Sequence, residues 1–201
     1  MNIKGIVNYV DENNKKHETA GICTLKDDIK LKSIDVKGML SFDKIICDKI
    51  NIEGDCTGNE ISGKKIFISG KFNVDNVSME QNIKIVGVAH SNLLKAEKVI
   101  IESRAGTINQ INCDKIKIFD NNDNIDISII KNIFNIRHVK NNARIHINDI
   151  DANNVEIQNC EIKSIKCKNA IIGTNCLIEE LFVEDSYKIA NDSTVNKIVR
   201  R

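Results

Sequence analysis

The chain has 201 residues, 41% of them hydrophobic and 28% charged, with 29 basic residues against 28 acidic ones. That length suits one domain with a sizeable core, and the composition excludes a disordered chain. A net charge of +1 and only 4% aromatic residues supply neither a global field nor the stacking platforms used to bind nucleic acid, so no nucleic-acid partner is expected.

The hydrophobic set is dominated by Ile rather than by Leu and Ala, which leans towards β structure. No basic n-region with an apolar h-region opens the chain, and no run reaches the roughly eighteen apolar residues of a membrane span. A cytoplasmic location is the expectation. The seven cysteines are odd in number, irregularly spaced and never arranged C-x-x-C, which fits reduced thiols better than a disulfide framework. Proline is absent, as suits a backbone whose N–H groups are committed to a ladder.

In chain order, the N-terminus alternates partly, through Ile3, Ile6, Val7, Tyr9 and Val10, and Asp11 to His17 is expected to be a surface loop. Thr24 and Ile29 stand one coil before Leu40 and Ile45, so coils are expected from near the start. A repeat then becomes regular. It begins at Ile34 (I-D-V-K-G) and continues as I-N-I-E-G at Ile50, I-F-I-S-G at Ile66, I-K-I-V-G at Ile83, V-I-I-E-S at Val99 and I-K-I-F-D at Ile116, with spacings of 16, 16, 17, 16 and 17.

Stacking these units aligns four apolar columns. The first holds Ile34, Ile50, Ile66, Ile83, Val99 and Ile116, and the second, two residues on, holds Val36, Ile52, Ile68, Ile85, Ile101 and Ile118. This is the alternation of a short strand with one buried face. A third column reads Leu40, Cys56, Phe72, Val88, Ala105, and a fourth reads Ile45, Ile61, Val77, Leu94, Ile111. Gly38, Gly54, Gly70 and Gly87, then Ser103 and Asp120, follow the strands where the chain must turn.

Each unit is too short for a βαβ crossover and carries no 3.6-residue period, so the units stack directly. The fold class expected is all-β, a single-stranded parallel β-helix (solenoid) with coils of about 16–17 residues, each strand about 4.8 Å above the last. Residues 1–119 are read as N-terminal coils, 120–150 as an interrupting loop or decorated coil, and 151–201 as C-terminal coils of one continuous domain. Within the interruption Ile129, Ile130, Ile133 and Phe134 have helical spacing, while Ile125, Ile127 and Ile129 alternate like a strand. Both readings stay open. Past it the columns resume: Cys160 and Cys176 are 16 apart, and Ile162, Ile178, Val195 and Ile165, Leu181, Ile198 step by 16 and 17.

Chemistry is hard to find between the repeats. His17, His90, His138 and His146 are scattered and none lies at zinc-ligand spacing from a cysteine, so no metal or other cofactor is expected. Cys56 falls in a core column and reads as a small buried hydrophobe. The glycines of G-D-C-T-G-N-E-I-S-G-K-K form no phosphate loop and are explained as corners. Hexapeptide acyltransferases need clean hexads and a cleft histidine, and pectin-lyase-type enzymes need longer coils. No catalytic residues are assigned and the chain is expected not to be an enzyme.

What remains is a rod whose ends present unpaired backbone groups and apolar column residues, a template for another chain. Candidate polymerisation residues are Ile3, Ile6 and Tyr9 at one end and Phe182, Tyr187, Ile189, Val195 and Ile198 at the other.

The succession of I-x-I-x-G units, one to each coil, resembles the bactofilins, polymer-forming bacterial cytoskeletal proteins. The C-terminal run from Val155 to Arg201, with its unit Ile172-Gly173-Thr174-Asn175-Cys176-Leu177-Ile178, is similar to bactofilin-like proteins of Gram-positive, spore-forming bacteria. The resemblance implies a right-handed β-helix that assembles without nucleotide into filaments and serves as a scaffold in cell shape, envelope or motility. It implies as partners the chain itself, with bactofilin-like paralogues or envelope and motility proteins as further ones. Bactofilins usually carry disordered, often proline-containing tails, and some bind membrane through a short N-terminal segment. Almost no tail flanks the repeats here, so contact with the inner face of the membrane stays open. The alternatives are a monomeric β-helix that binds a protein through residues 120–150, or an acyltransferase-like enzyme using His90, His138 or His146.

Overall fold

The computed structural model describes residues 4–11, 13–20, 29–103, 105–120 and 144–200. All the regular elements among them are strands: β1 (Lys4–Asp11), β2 (Lys16–Ala20), β3 (Ile29–Glu102), β4 (Gly106–Phe119), β5 (Ile145–Ile157), β6 (Cys160–Ile172), β7 (Leu177–Ile189) and β8 (Thr194–Arg200). They lie in the order β2-β1-β3-β4-β5-β6-β7-β8, and every neighbour from β3 to β8 is parallel. The chain is a parallel β-solenoid. β3 alone winds through the rungs that begin at Ile34, Ile50, Ile66, Ile83 and Val99.

The first column is continuous from Ile34 to Val99, then passes by strand register through Ile116, Val155, Ala170 and Tyr187. Its members up to Ala170 are no more than 3% exposed. The second column likewise runs on through Ile118, Ile157, Ile172 and Ile189. Leu94 pairs with Ile111 at the ordinary step, whereas Ile111 pairs with the far more distant Ile150, so the interruption is an insertion at one corner between Ile118 and Ile145. The coil that carries Val155 onto Ala170 is shorter than any read from the sequence.

The interior holds more columns than the four expected. Phe42 and Val74, and Cys47 and Met79, are also buried, so a coil turns three i/i+2 pairs inward: 34 and 36, 40 and 42, 45 and 47 in the first. Volumes compensate along a column. Gly58 overlies Phe42, and a Cβ there would stand 2.3 Å from the Phe42 ring.

The third column needs correction. Ala89, not Val88, is buried, and it pairs with Gly106 rather than with Ala105; Val88 is 37% exposed. The extra residue of the coil from Ile66 to Ile83 falls between Met79 and Ile83, which moves every later position of the stack by one. The coil that starts at Val99 carries its extra residue at the corner itself, where the Ser103 hydroxyl donates to the Ala105 carbonyl at 2.7 Å and accepts from the Ala105 amide at 3.1 Å.

The glycine corners have a direct cause. Gly54 and Gly70 hold φ of 132° and 140°, and a Cβ on either would stand 2.1–2.2 Å from the carbonyl oxygen of the glycine one rung below. Only a residue without Cβ accepts both that dihedral and that approach.

Outside, rungs are matched by charge and amide. Glu53 pairs with Lys37 at 3.6 Å, Lys64 with Asp48 at 2.8 Å, Glu60 with Lys44 at 3.1 Å and Lys117 with Glu156 at 2.7 Å. Asn148 donates to Asn109, Asn109 to Asn92 and Asn92 to Asn76. Each exposed pair contributes little. Like charges one rung apart would oppose stacking, and alternating the two signs up the stack goes with a near-neutral total.

The N-terminus departs from the expected coil. β1 and β2 form a hairpin, and β1 lies antiparallel on the first rung with Val7 opposite Val36 and Tyr9 opposite Ile34. The loop expected at Asp11 to His17 is shorter, since β2 already includes Lys16 and His17. Asp11 Oδ1 accepts from the amides of Asn13 and Lys15, and Asn14 turns the chain at φ 62°. Thr24 and residues 121–143 lie outside the described residues.

Candidate assembly surface

The terminal coil fills its inward positions with Tyr187, Ile189, Ser193, Val195, Ile198 and Arg200. The register gives this directly for five of them: Ala170 opposite Tyr187, Ile172 opposite Ile189, Ile178 opposite Val195, Leu181 opposite Ile198 and Val183 opposite Arg200. One rung below, Ile178 and Leu181 are fully buried, whereas Ile198 is 38% exposed and Val195 half-buried. The difference is geometric: among the described residues nothing lies above the last rung. There β8 has a single neighbour, β7, so its outer edge carries unpaired backbone groups.

This end is partly closed. Tyr187 and Ile189 pack on the core, and the Arg200 guanidinium lies 5.2 Å from the centre of the Tyr187 ring. Phe182 is placed differently from the other four residues of its group. It sits opposite Lys166 and Val199 on the outer surface, with the Lys197 ammonium 5.9 Å from its ring centre. The structure therefore brings Tyr187, Ile189, Val195 and Ile198 into one terminal layer and leaves Phe182 on the flank. Ser193 and Arg200 belong to that layer too. Sequence reasoning missed them because neither is apolar, although both fall at column spacing.

The opposite end is arranged otherwise. Ile6 and Tyr9 lie on β1, whose two edges are both paired, to β2 and to β3. Tyr9 is half-buried against the core. The strand facing outward there is β2, short and polar (Lys-His-Glu-Thr-Ala), the kind of edge that discourages strand addition. Ile3 lies outside the described residues.

Other chemical groups are dispersed. His90 and His146 share one outer column, on either side of Thr107, and His146 Nδ1 lies 3.5 Å from Glu161. His138 lies outside the described residues. Among the described residues no three His, Cys, Asp or Glu side chains are grouped to hold a metal ion, and no helix is long and apolar enough to cross a membrane. An open groove of about 920 Å³ runs along the flank past Ser62, Ser78, Lys95, Glu97 and Asn112, and the buried Asn112 Oδ1 has no hydrogen-bond partner. Burial raises the thiols of Cys47 and Cys167 to about 11 and that of Cys113 to about 12, and pushes Cys56 higher still, which leaves these four protonated and inert near neutrality.

No family model matches the chain, and no curated protein or solved structure matches it either.

Proposed function

We propose that the chain is a bactofilin-like, non-enzymatic scaffold that self-assembles end to end, without nucleotide, through the layer formed by Tyr187, Ile189, Val195 and Ile198. The observation that carries this reading is the unpaired edge of β8 above apolar columns that are buried in the rungs below: Leu181 is fully buried and Ile198, its successor, is 38% exposed. Adding a rung from a second copy extends those columns and satisfies the edge amides and carbonyls together. The repeat itself and the resemblance of its I-x-I-x-G units to the bactofilins add support for a structural role in cell shape, envelope or motility.

The test is negative-stain microscopy and light scattering of the purified protein across a range of concentrations without nucleotide. A dimer joined through β8, or filaments in which the β2 end also accepts a copy, supports the reading, and a monomer at every concentration defeats it.

A second reading is a β-solenoid that binds a protein partner while remaining a monomer, and the β1–β2 hairpin favours it, because that hairpin occupies one edge of the first rung. Deleting residues 121–143 separates the two: partner capture is lost in the second reading, and assembly persists in the first.

A further inference from the structure

The corners change character after the insertion. Where Gly38 to Gly87 turn the early coils, the later ones use an Asn-Cys pair, Asn159-Cys160 and Asn175-Cys176, with the asparagines at φ 55° and 56°. The left-handed asparagine does the work of the glycine, and the residue after it points inward. Ile145 stands opposite Cys160, and Glu161 opposite Leu177, so Cys160 and Cys176 are neighbours in one column. Both are buried, at 0% and 1% exposure, and no other two cysteines among the described residues occupy adjacent rungs of a column.

The surroundings polarise this pair unequally. In the thiol state Cys160 Sγ donates to the Gln158 carbonyl at 3.0 Å. Burial first, and then the interaction with the Cys176 sulfur, push the Cys160 thiol well up, against the Gln158 bond, which lowers it; the Cys176 thiol itself donates to the Thr174 and Ile157 carbonyls at 3.5 and 3.7 Å. The Cys176 thiol is brought down to about 7, first by the hydrogen bond from Cys160, against the opposing effect of burial, with further help from Ser193 and Arg144. Arg144 is fixed at the site by bonds from Nε and Nη2 to Asn175 Oδ1 at 3.1 and 2.7 Å, and Asn175 in turn donates to Asn159 at 2.8 Å. The Cys176 amide donates to Ser193 Oγ at 2.8 Å.

We propose that Cys160 and Cys176 form a peroxide-reactive dithiol, in which the Cys176 sulfur reduces a small hydroperoxide and Cys160 resolves the product as a disulfide linking two rungs. The Cys176 thiolate attacks the terminal oxygen of the hydroperoxide; the S–O bond forms, the O–O bond breaks, and hydroxide or alkoxide leaves. The Cys160 sulfur then attacks the resulting sulfenic acid, the S–S bond forms, and the sulfenic oxygen leaves as water with the Cys160 proton. Both thiols are oxidised by two electrons in all, and the hydroperoxide takes them. In-register neighbours are about 4.8 Å apart at Cα, inside the span of about 4.4–6.8 Å that disulfides occupy. Access requires the corner to open, which breaks the bonds from the Gly173 amide to the Ile157 carbonyl at 2.7 Å, from the Asn159 amide to the Thr174 carbonyl at 3.0 Å and from the Thr194 amide to the Cys176 carbonyl at 2.9 Å. The corner between Ile172 and Leu177 lies outside both β6 and β7, and hydrogen peroxide is little larger than water.

The proposal is independent of self-assembly. Its test is brief treatment of the full-length protein with hydrogen peroxide, followed by non-reducing peptide mapping by mass spectrometry and circular dichroism. The expected product is a peptide pair cross-linked through Cys160 and Cys176, lighter by two hydrogens, formed with the β signal intact and reversed by a thiol reductant. In Cys160→Ser, Cys176 is expected to stop at a sulfenic acid trapped by dimedone. Oxidation confined to the half-exposed Cys113, with Cys160 and Cys176 left reduced in the wild-type protein, would overturn the proposal, and the wild-type map decides it even if the variant does not fold.

Discussion

Substituting Gly70 by Ala tests whether the glycine corners hold the rungs at their spacing. Gly70 has φ 140°, and a Cβ there would stand 2.2 Å from the Gly54 carbonyl oxygen, well inside ordinary contact. The dihedral costs about 1–3 kcal/mol for a residue with a side chain. Relieving the contact requires the rung to rise, which weakens a ladder hydrogen bond and leaves a buried carbonyl short of a partner, at about 1–3 kcal/mol more. The expected loss is about 3–5 kcal/mol, a fall in Tm of about 6–20 °C for a chain of this size, read by thermal unfolding followed by circular dichroism. Gly173→Ala is the control. Its φ lies outside the left-handed region and its added Cβ would stand 3.0 Å from the Ile157 carbonyl, so about 1 kcal/mol is expected. If Gly70→Ala melts with the wild type or with Gly173→Ala, the corner account is refuted.

Three further outcomes follow from the same structure. Cys47 and Cys167 bind their protons more tightly folded, with pKa values of about 11 against 9.0, so the stability they contribute is complete below pH 9 and is lost as the pH rises from 9 to 11; the Tm should fall over that range, less steeply in Cys167→Ala. Asn175→Ala should destabilise more than Asn175→Gly in urea unfolding, by about 1 kcal/mol, because both lose the bonds to Asn159 and Arg144 but only alanine resists φ 56°. Removing residues 1–20 uncovers the edge of the first rung from Leu31 to Met39 and should increase association in sedimentation, whereas an unchanged sedimentation coefficient distribution would show that the hairpin protects nothing.

The first, second and fourth columns were legible because Ile and Val recur at a fixed step with a period of two, a pattern that a buried stacked strand requires. The third failed at Val88 and Ala105 for a physical reason. Val88 and Ala89 are both apolar, and spacing alone does not show where a longer coil places its extra residue. The columns of Phe42 and Cys47 were missed since they mix residue types, Gly58 over Phe42 and Gly63 over Cys47, although each lies two residues from a recognised column member. The antiparallel hairpin was missed because alternation looks the same in either strand direction; the turn-rich Asp-Glu-Asn-Asn between two alternating runs was the available signal. Of the terminal layer, Val195 and Ile198 were visible as column positions, and Tyr187 and Ile189 only as apolar residues near the end. Their exposure, and the placement of Phe182 on the flank, follow from strand register that only the fold supplies. The thiol pair was visible only as a spacing of 16, without the left-handed corners that turn both sulfurs inward.

Sedimentation velocity of the wild-type protein and of Ile198→Asp, over the same concentration series, shows whether copies join through the β8 end. The wild type is expected to form species that grow with concentration, and a charge in the terminal layer, which would cost several kcal/mol to bury, is expected to leave monomers whose circular dichroism matches the wild type. Assembly of Ile198→Asp indistinguishable from the wild type, or a wild type that stays monomeric throughout, would contradict joining through the β8 end.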